Sequence, residues 1–185
     1  MRKIPISGAP HSGKTTLLEA LKSEFPAAYF VPEPAETVIT RELAKQTANS
    51  DYTPVVPWID YEKFGPAVAD ESELLEANIP PATEIVFQDR SLIDTIGYAR
   101  LNGFESFVPE VQRRARLACY VFALFCEPVG TYTTTDIRRE TAEEALRTHD
   151  VLAQAYDEFG ISVVHLSSVS VEERIVMVHD SLRRF

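Results

Sequence analysis

Lys3-Ile4-Pro5-Ile6-Ser7-Gly8-Ala9-Pro10-His11-Ser12-Gly13-Lys14-Thr15-Thr16-Leu17-Leu18 passes from a short apolar run, across a glycine-bounded turn, into the first turn of a helical repeat. Residues 8–15 match G-x-x-x-x-G-K-[ST] at every position. With the chain's own Gly, Lys and Ser/Thr frequencies, random placement gives this pattern about once in a thousand such chains. Each residue type has a reason. Gly8 and Gly13 allow backbone angles and a close approach that a side chain would block. The consecutive amides then form a nest for an anionic phosphate, and the following helix adds its positive end. Lys14 supplies a point charge for the β- and γ-phosphates, and Thr15 offers a hydroxyl to Mg²⁺. Gly8, Ala9, Pro10, His11, Ser12, Gly13, Lys14, Thr15 and Thr16 are therefore the candidate nucleotide contacts, His11 through its backbone more than its ring.

Outward from this loop, short apolar runs alternate with helical patterns, which is the signature of a parallel α/β sheet. The runs predict strands at Lys3–Ser7, Ala28–Pro32, Glu84–Gln88, Cys119–Phe125 and Ile161–Leu166. Leu17, Leu18 and Leu21 begin one helix. Ala145 to Phe159 supplies another, and Val171, Ile175, Val178 and Leu182 form the stripe of the last. Thr141–Glu144 and Ser170–Glu173 have the form of capping boxes. Pro5 sits inside a strand that should be central, where it removes a ladder donor, so a bulge or a missing bond is expected there. Irregular stretches at Asn49–Trp58 and Glu127–Arg139 are long for a compact domain. They place an acceptor-region insertion at about 47–80 and a mobile lid at about 127–141.

The chain has 185 residues, with 45% apolar and 25% charged, enough for one domain over 1–185 with a sizeable core. A net charge of −10 argues against sequence-independent nucleic-acid binding, which needs a basic footprint. No run approaches the length of a membrane helix, and the broken start after Lys3 does not fit a secretory leader. Two cysteines, Cys119 and Cys126, suit a reducing compartment and read as buried, inert thiols. The expectation is a cytoplasmic protein with no nucleic-acid or membrane partner. Its oligomeric state is open.

Acidic and basic side chains cluster at the expected strand ends. Asp89 follows the third strand, at the edge where open α/β sheets bind ligands, and can hold the metal or one of its waters. Alternatively it caps the helix starting near Ser91. Arg90 beside it can clamp an acceptor. Glu33 follows the second strand and can orient or deprotonate an attacking hydroxyl, or else simply sit in a helix's first turn with Glu36. Arg41 lies beyond. Arg138 and Arg139 can neutralise charge from a lid, or belong to the surface. Trp58, Tyr61 and Phe64 can stack on an acceptor or form a satellite apolar cluster. His149, His165 and His179 lack metal-ligand spacing.

Gly8–Thr16, Glu33-Pro34-Ala35-Glu36, Asp89-Arg90-Ser91 and Arg138-Arg139 occur in an order that resembles P-loop kinases of small metabolites. More narrowly, the chain resembles small AAA-labelled P-loop ATPases related to the ribosylnicotinamide kinase domain of NadR. The likeness includes Asp89–Asp94, Tyr98–Leu101, Tyr156…Gly160 and the Ser170–Arg174 helix start. It implies a P-loop NTPase fold, three layers α/β/α around a five-stranded parallel sheet in the order 2-3-1-4-5, with a hinged lid. It also implies Mg²⁺ and ATP as cofactors, with Thr15 and Asp89 at the metal. By the same likeness Lys14, Glu33, Asp89, Arg138 and Arg139 are catalytic, with Glu33 as the acceptor's base and one arginine as the lid clamp. Glu36, Arg41, Trp58 and Arg90 join Glu33 at the acceptor, and Ser167–Ser170 border the adenine. Gln88 departs from the apolar run that usually leads to the metal-organising Asp. No Asn-Lys-x-Asp guanine motif is present, which favours ATP over GTP. The expected activity is phosphoryl transfer from Mg²⁺-ATP to a small hydroxyl-bearing metabolite of nucleoside or ribosyl type. The alternatives are a nucleotide-operated ATPase or GTPase switch, and a hydrolase of a phosphorylated metabolite.

Overall fold

A computed structural model describes residues 1–10, 12–128 and 142–185. Among them, the strands are β1 (Arg2–Ser7), β2 (Tyr29–Val31), β3 (Ile85–Asp89), β4 (Phe122–Cys126) and β5 (Ser162–Leu166). The helices are α1 (Lys14–Glu24), α2 (Pro34–Ala48), α3 (Tyr61–Ala77), α4 (Leu92–Leu101), α5 (Val108–Ala118), α6 (Ala142–Phe159) and α7 (Val171–Arg184), with a 3₁₀ turn at Glu105–Phe107. All pairings are parallel, and the five strands lie in the order β2-β3-β1-β4-β5, the kinase-type order.

Two apolar layers cover the sheet. On one face Leu17, Leu21 and Val178 of α1 and α7 pack on Ile4, Ile6, Phe87 and Leu124. On the other, Ile93, Ile96, Val111, Leu152 and Tyr156 of α4, α5 and α6 pack on Ala123 and Phe125. A sheet buried on both faces requires near-continuous apolar strands, which is why these runs stood out in the sequence.

Pro5 is accommodated as its chemistry demands. The Arg2 amide donates to Glu84 and Ile6 O accepts from Arg90, so even-numbered residues of β1 face β3. Lys3 O accepts from the Val121 amide, so odd-numbered residues, Pro5 included, face β4. There the ladder shifts by one residue, from Lys3↔Tyr120 to Ile6↔Leu124. The extra β4 residue is a bulge opposite the missing N–H.

Two expectations change. The fourth strand begins at Phe122, because α5 runs through Ala118 and Cys119 ends it in the left-handed conformation, φ 56°. Cys119 is consequently exposed, and only Cys126 is buried. Asn49–Trp58 is irregular as expected, and α3 follows it, capped by Asp60, whose side chain accepts from the Lys63 amide, with Pro66 inside the helix. Gly65-Pro66 reads as a breaker, but so near the N-terminus proline sacrifices a single intrahelical bond. The start of α6 at Thr141 lies outside the described residues. Ser170–Glu173 forms the expected capping box, with both reciprocal bonds present. A second box, Ser91–Asp94, caps α4.

Candidate active site

The turn after β1 is a tight cradle. Gly8 has φ +133°, and a Cβ there would meet Cys126 O at 2.5 Å. Gly13, at φ 79°, turns the chain into α1. The Lys14 ammonium is buried and donates to Gly8 O at 2.9 Å and Ala9 O at 2.8 Å. Burial first, and the neighbouring Arg90 second, hold its pKa down at about 8, against the pull of Asp89 and Glu33. Arg174, 3% exposed, fastens the cradle from behind: it donates to Ser12 O (2.6 Å), Ser167 O (2.9 Å) and Glu127 O (3.2 Å). Sequence reasoning did not single it out, although an arginine falling within the apolar stripe of α7 was a usable signal.

Asp89 ends β3 beside the cradle. Its Oδ1 is buried without a hydrogen-bond partner. Burial, then the Glu33 carboxylate, push its pKa up to about 6, while Arg90 and Lys14 oppose. A cavity of about 230 Å³ is lined by Thr15, Glu33, Glu36 and Asp89. The Thr15 hydroxyl and the unpaired Asp89 Oδ1 in one recess suit Mg²⁺, a hard cation that takes oxygen ligands. The residues present therefore fit the metal that the sequence implies. Gln88, on the opposite side of the strand, is 1% exposed and donates to Glu76 Oε1 at 3.0 Å. Its polarity thus belongs to a buried network under α3 and leaves Asp89 at the sheet's edge.

Glu33 stands at the N-cap of α2 but makes no capping bond with its side chain. Instead Oε1 accepts from Arg90 Nε at 3.0 Å. Arg90 is in the left-handed region, φ 68°, which is uncommon for a non-glycine residue and turns its side chain across the strand ends. Its Nη1 reaches Gly8 O and Asp94 Oδ1, both at 3.4 Å, and its guanidinium lies 5.1 Å from the Tyr98 ring centre. Asp94 is a buried hub. It accepts from Ser7 Oγ (2.5 Å), the Ser91 amide (2.9 Å) and Tyr156 OH (2.7 Å), tying β1, α4 and α6 to the arginine.

Beyond Glu33 lies a second cavity, about 320 Å³, walled by Ile39, Tyr61, Phe64, Val68, Tyr98 and Arg90 among others. Its volume falls at the small end of ligand pockets, the range for a nucleoside-sized molecule. Tyr61 and Phe64 stand in this wall, as the stacking reading expects. Trp58 does not: it is 66% exposed, while Val56 and Pro57 turn inward, so the indole is displaced to the surface. Arg41 is also elsewhere, bonded to Glu71 of α3 at 2.5 Å over a shallow groove that it shares with Glu36. His11, Arg138 and Arg139 lie outside the described residues. His149 and His165 share the Glu127 carboxylate at 3.2 and 2.7 Å, and His179 pairs with Glu24.

These groups predict a pH profile. In the free protein a protonated Asp89 is a poor metal ligand, and a neutral Lys14 is a poor phosphate ligand. With their pKa values at about 6 and about 8, kcat/KM for nucleotide is expected to fall on the acid side of the first and the alkaline side of the second. Initial rates at limiting ATP measure this. Asp89→Asn should abolish the acid limb of whatever activity remains, and a flat profile across both values would contradict the assignment.

Comparison with known proteins agrees with this geometry. The AAA domain family AAA_28 matches residues 3–174. The chain is 29% identical to a probable thymidylate kinase of Halorubrum lacusprofundi over 157 residues, covering 83% of this chain and 76% of that one. It is 22% identical to the thymidylate kinase of Helicobacter pylori, covering 98% and 96%. A match to the thymidylate kinase of Wolinella succinogenes, 32% identical, spans 52% of this chain and about half, 49%, of the relative. Among solved structures, Candida albicans thymidylate kinase superposes with a TM-score of 0.64 at 13% identity, covering 99% of this chain and 91% of that one. The NadR protein in complex with NR superposes at 0.68 and 24%, covering 97% of this chain and 51% of the NadR chain. The described residues contain no helix long and apolar enough to cross a membrane. With its phosphate cradle, its strand order and a family match over residues 3–174, the chain belongs to the AAA domain family and has the architecture of the P-loop kinases.

Proposed function

We propose that this protein is a cytoplasmic Mg²⁺- and ATP-dependent kinase that phosphorylates a hydroxyl of a nucleoside-like or ribosyl metabolite. The carrying observation is the position of Glu33, whose side chain stands in the wall common to the phosphate-side cavity and the aromatic-walled one. A group bridging donor and acceptor recesses is where a base for an attacking hydroxyl must be. The thymidylate kinases among its relatives support phosphoryl transfer as the reaction class, while the hydroxyl acceptor rests on the place of Glu33.

In this reading the cradle amides bind the β-phosphate and Lys14 leaves its carbonyl contacts to follow the γ-phosphoryl group. Glu33 holds the acceptor hydroxyl and takes its proton. The acceptor oxygen forms the new bond to the γ-phosphorus as the bond to the β–γ bridging oxygen breaks, with that electron pair leaving on ADP. Thr15 and Asp89 would hold Mg²⁺, which would supply positive charge against the phosphates. Arg138 and Arg139 are the residues that the family likeness assigns to the same oxygens, and Ser167–Ser170, held to the cradle through Arg174, border the adenine. Alignment and electrostatics supply most of the rate.

A coupled assay for ADP, run with Mg²⁺-ATP and a panel of nucleosides and ribosyl compounds, tests this reading. Acceptor-dependent ADP formation is expected. Slow hydrolysis indifferent to every acceptor would overturn it in favour of a nucleotide switch.

A further inference from the structure

We propose that the acceptor site selects by charge: Glu33 and Asp94, flanking Arg90, exclude acceptors that already carry a phosphate and admit only nucleoside-like molecules that are neutral or cationic. The proposal rests on the kinase reading of this site and deepens it. Among the described residues, the charges that line the aromatic-walled cavity are Glu33, Asp94 and Arg90. Binding a phosphate monoester takes a guanidinium or ammonium free to pair with it, preferably through a two-pronged fork. Arg90 is the cation in this wall, and it is already held between the two carboxylates, at 3.0 Å to Glu33 and 3.4 Å to Asp94.

The surrounding helices offer no substitute. Each Lys or Arg of α2, α3 and α4 already carries a carboxylate: Arg41 has Glu71, Lys45 has Glu42, Lys63 has Asp60 and Arg100 has Glu158. Inside, a phosphate dianion would be desolvated against two carboxylates with no free counter-charge among the described residues, the costliest arrangement for a buried ion. A ring without negative charge meets no such penalty. It can lie against Tyr61 and Phe64, whose π faces also favour a positive charge.

The test compares a panel of nucleosides with their own 5′-monophosphates on the full chain with Mg²⁺-ATP. The expected kcat/KM favours the nucleosides by about a hundredfold or more, the scale on which a site rejects a wrongly charged ligand. Monophosphates used equally well, or better, overturn the proposal. Glu33→Gln adds a readout in the opposite sense. It should lower nucleoside turnover about a hundredfold by removing the base, yet tighten monophosphate binding about tenfold by freeing the Arg90 fork. Unchanged or weaker monophosphate binding in that variant counts against the proposal. If neither class yields acceptor-dependent ADP, the kinase reading fails, and calorimetric binding then decides the charge rule separately. Nucleosides binding more tightly than their monophosphates sustain it; the reverse order, equal binding or no binding by either class refutes it.

Discussion

Lys14→Ala is expected to lower phosphoryl transfer by roughly a hundred- to a thousandfold, the usual loss when one preorganised charge is removed from a transition state. The fold should survive. Without nucleotide the Lys14 ammonium is held against Gly8 O and Ala9 O in a place that depresses its pKa to about 8, so the charge is there at a cost to stability. Removing a buried charge that is disfavoured in the folded state does not destabilise it as loss of a satisfied one would. Thermal unfolding of the variant without nucleotide should therefore stay close to the parent, while the stabilisation brought by added Mg²⁺-ATP should largely disappear. An inactive variant that is also unfolded would show a structural role instead, and a fully active one would remove Lys14 from the mechanism.

Asp94→Ala should act in the opposite way, through stability first. Its carboxylate is 2% exposed and accepts from Ser7, Ser91 and Tyr156 while facing Arg90. Burial, followed by the Asp94 charge, pushes the Tyr156 phenol pKa well up, so the phenol remains a donor. Truncation leaves a buried guanidinium short of one counter-charge and several donors without acceptors. Removing one partner of such a cluster costs about 3–5 kcal/mol. Urea unfolding of the variant should show a midpoint lowered in proportion, and Asp94→Asn, which keeps an acceptor but not the charge, should fall between. A loss below about 1 kcal/mol, the net worth of one ordinary hydrogen bond, would mean that the hub is not stabilising.

Much of the frame could be read from one sequence because it is written in local chemistry. The Gly8–Thr15 spacing and the apolar runs of a doubly covered sheet each depend on neighbours a few residues apart. The strand order came from resemblance, since nothing local says that β2 lies beyond β3. What escaped was non-local. Asp94 and Arg174 owe their surroundings to residues far along the chain, Tyr156 for one and Ser12 for the other, which no periodicity reveals. Trp58 was misplaced for the same reason: an aromatic in a loop has no period to say which way it faces. The α3 helix was hidden by Gly65-Pro66, where tertiary packing of Phe64 and Ala69 prevails over a local breaker. Gln88 looked like a departure on its strand until Glu76 of α3 supplied its partner.

Phosphorus NMR of a reaction containing this protein, Mg²⁺, ATP and a nucleoside acceptor tests the central claim most directly. The account predicts that ATP signal is replaced by ADP and a new phosphomonoester in equal amount, with the acceptor heavier by one phosphoryl group. Inorganic phosphate appearing in that phosphomonoester's place, at a rate unchanged by any acceptor, would contradict it.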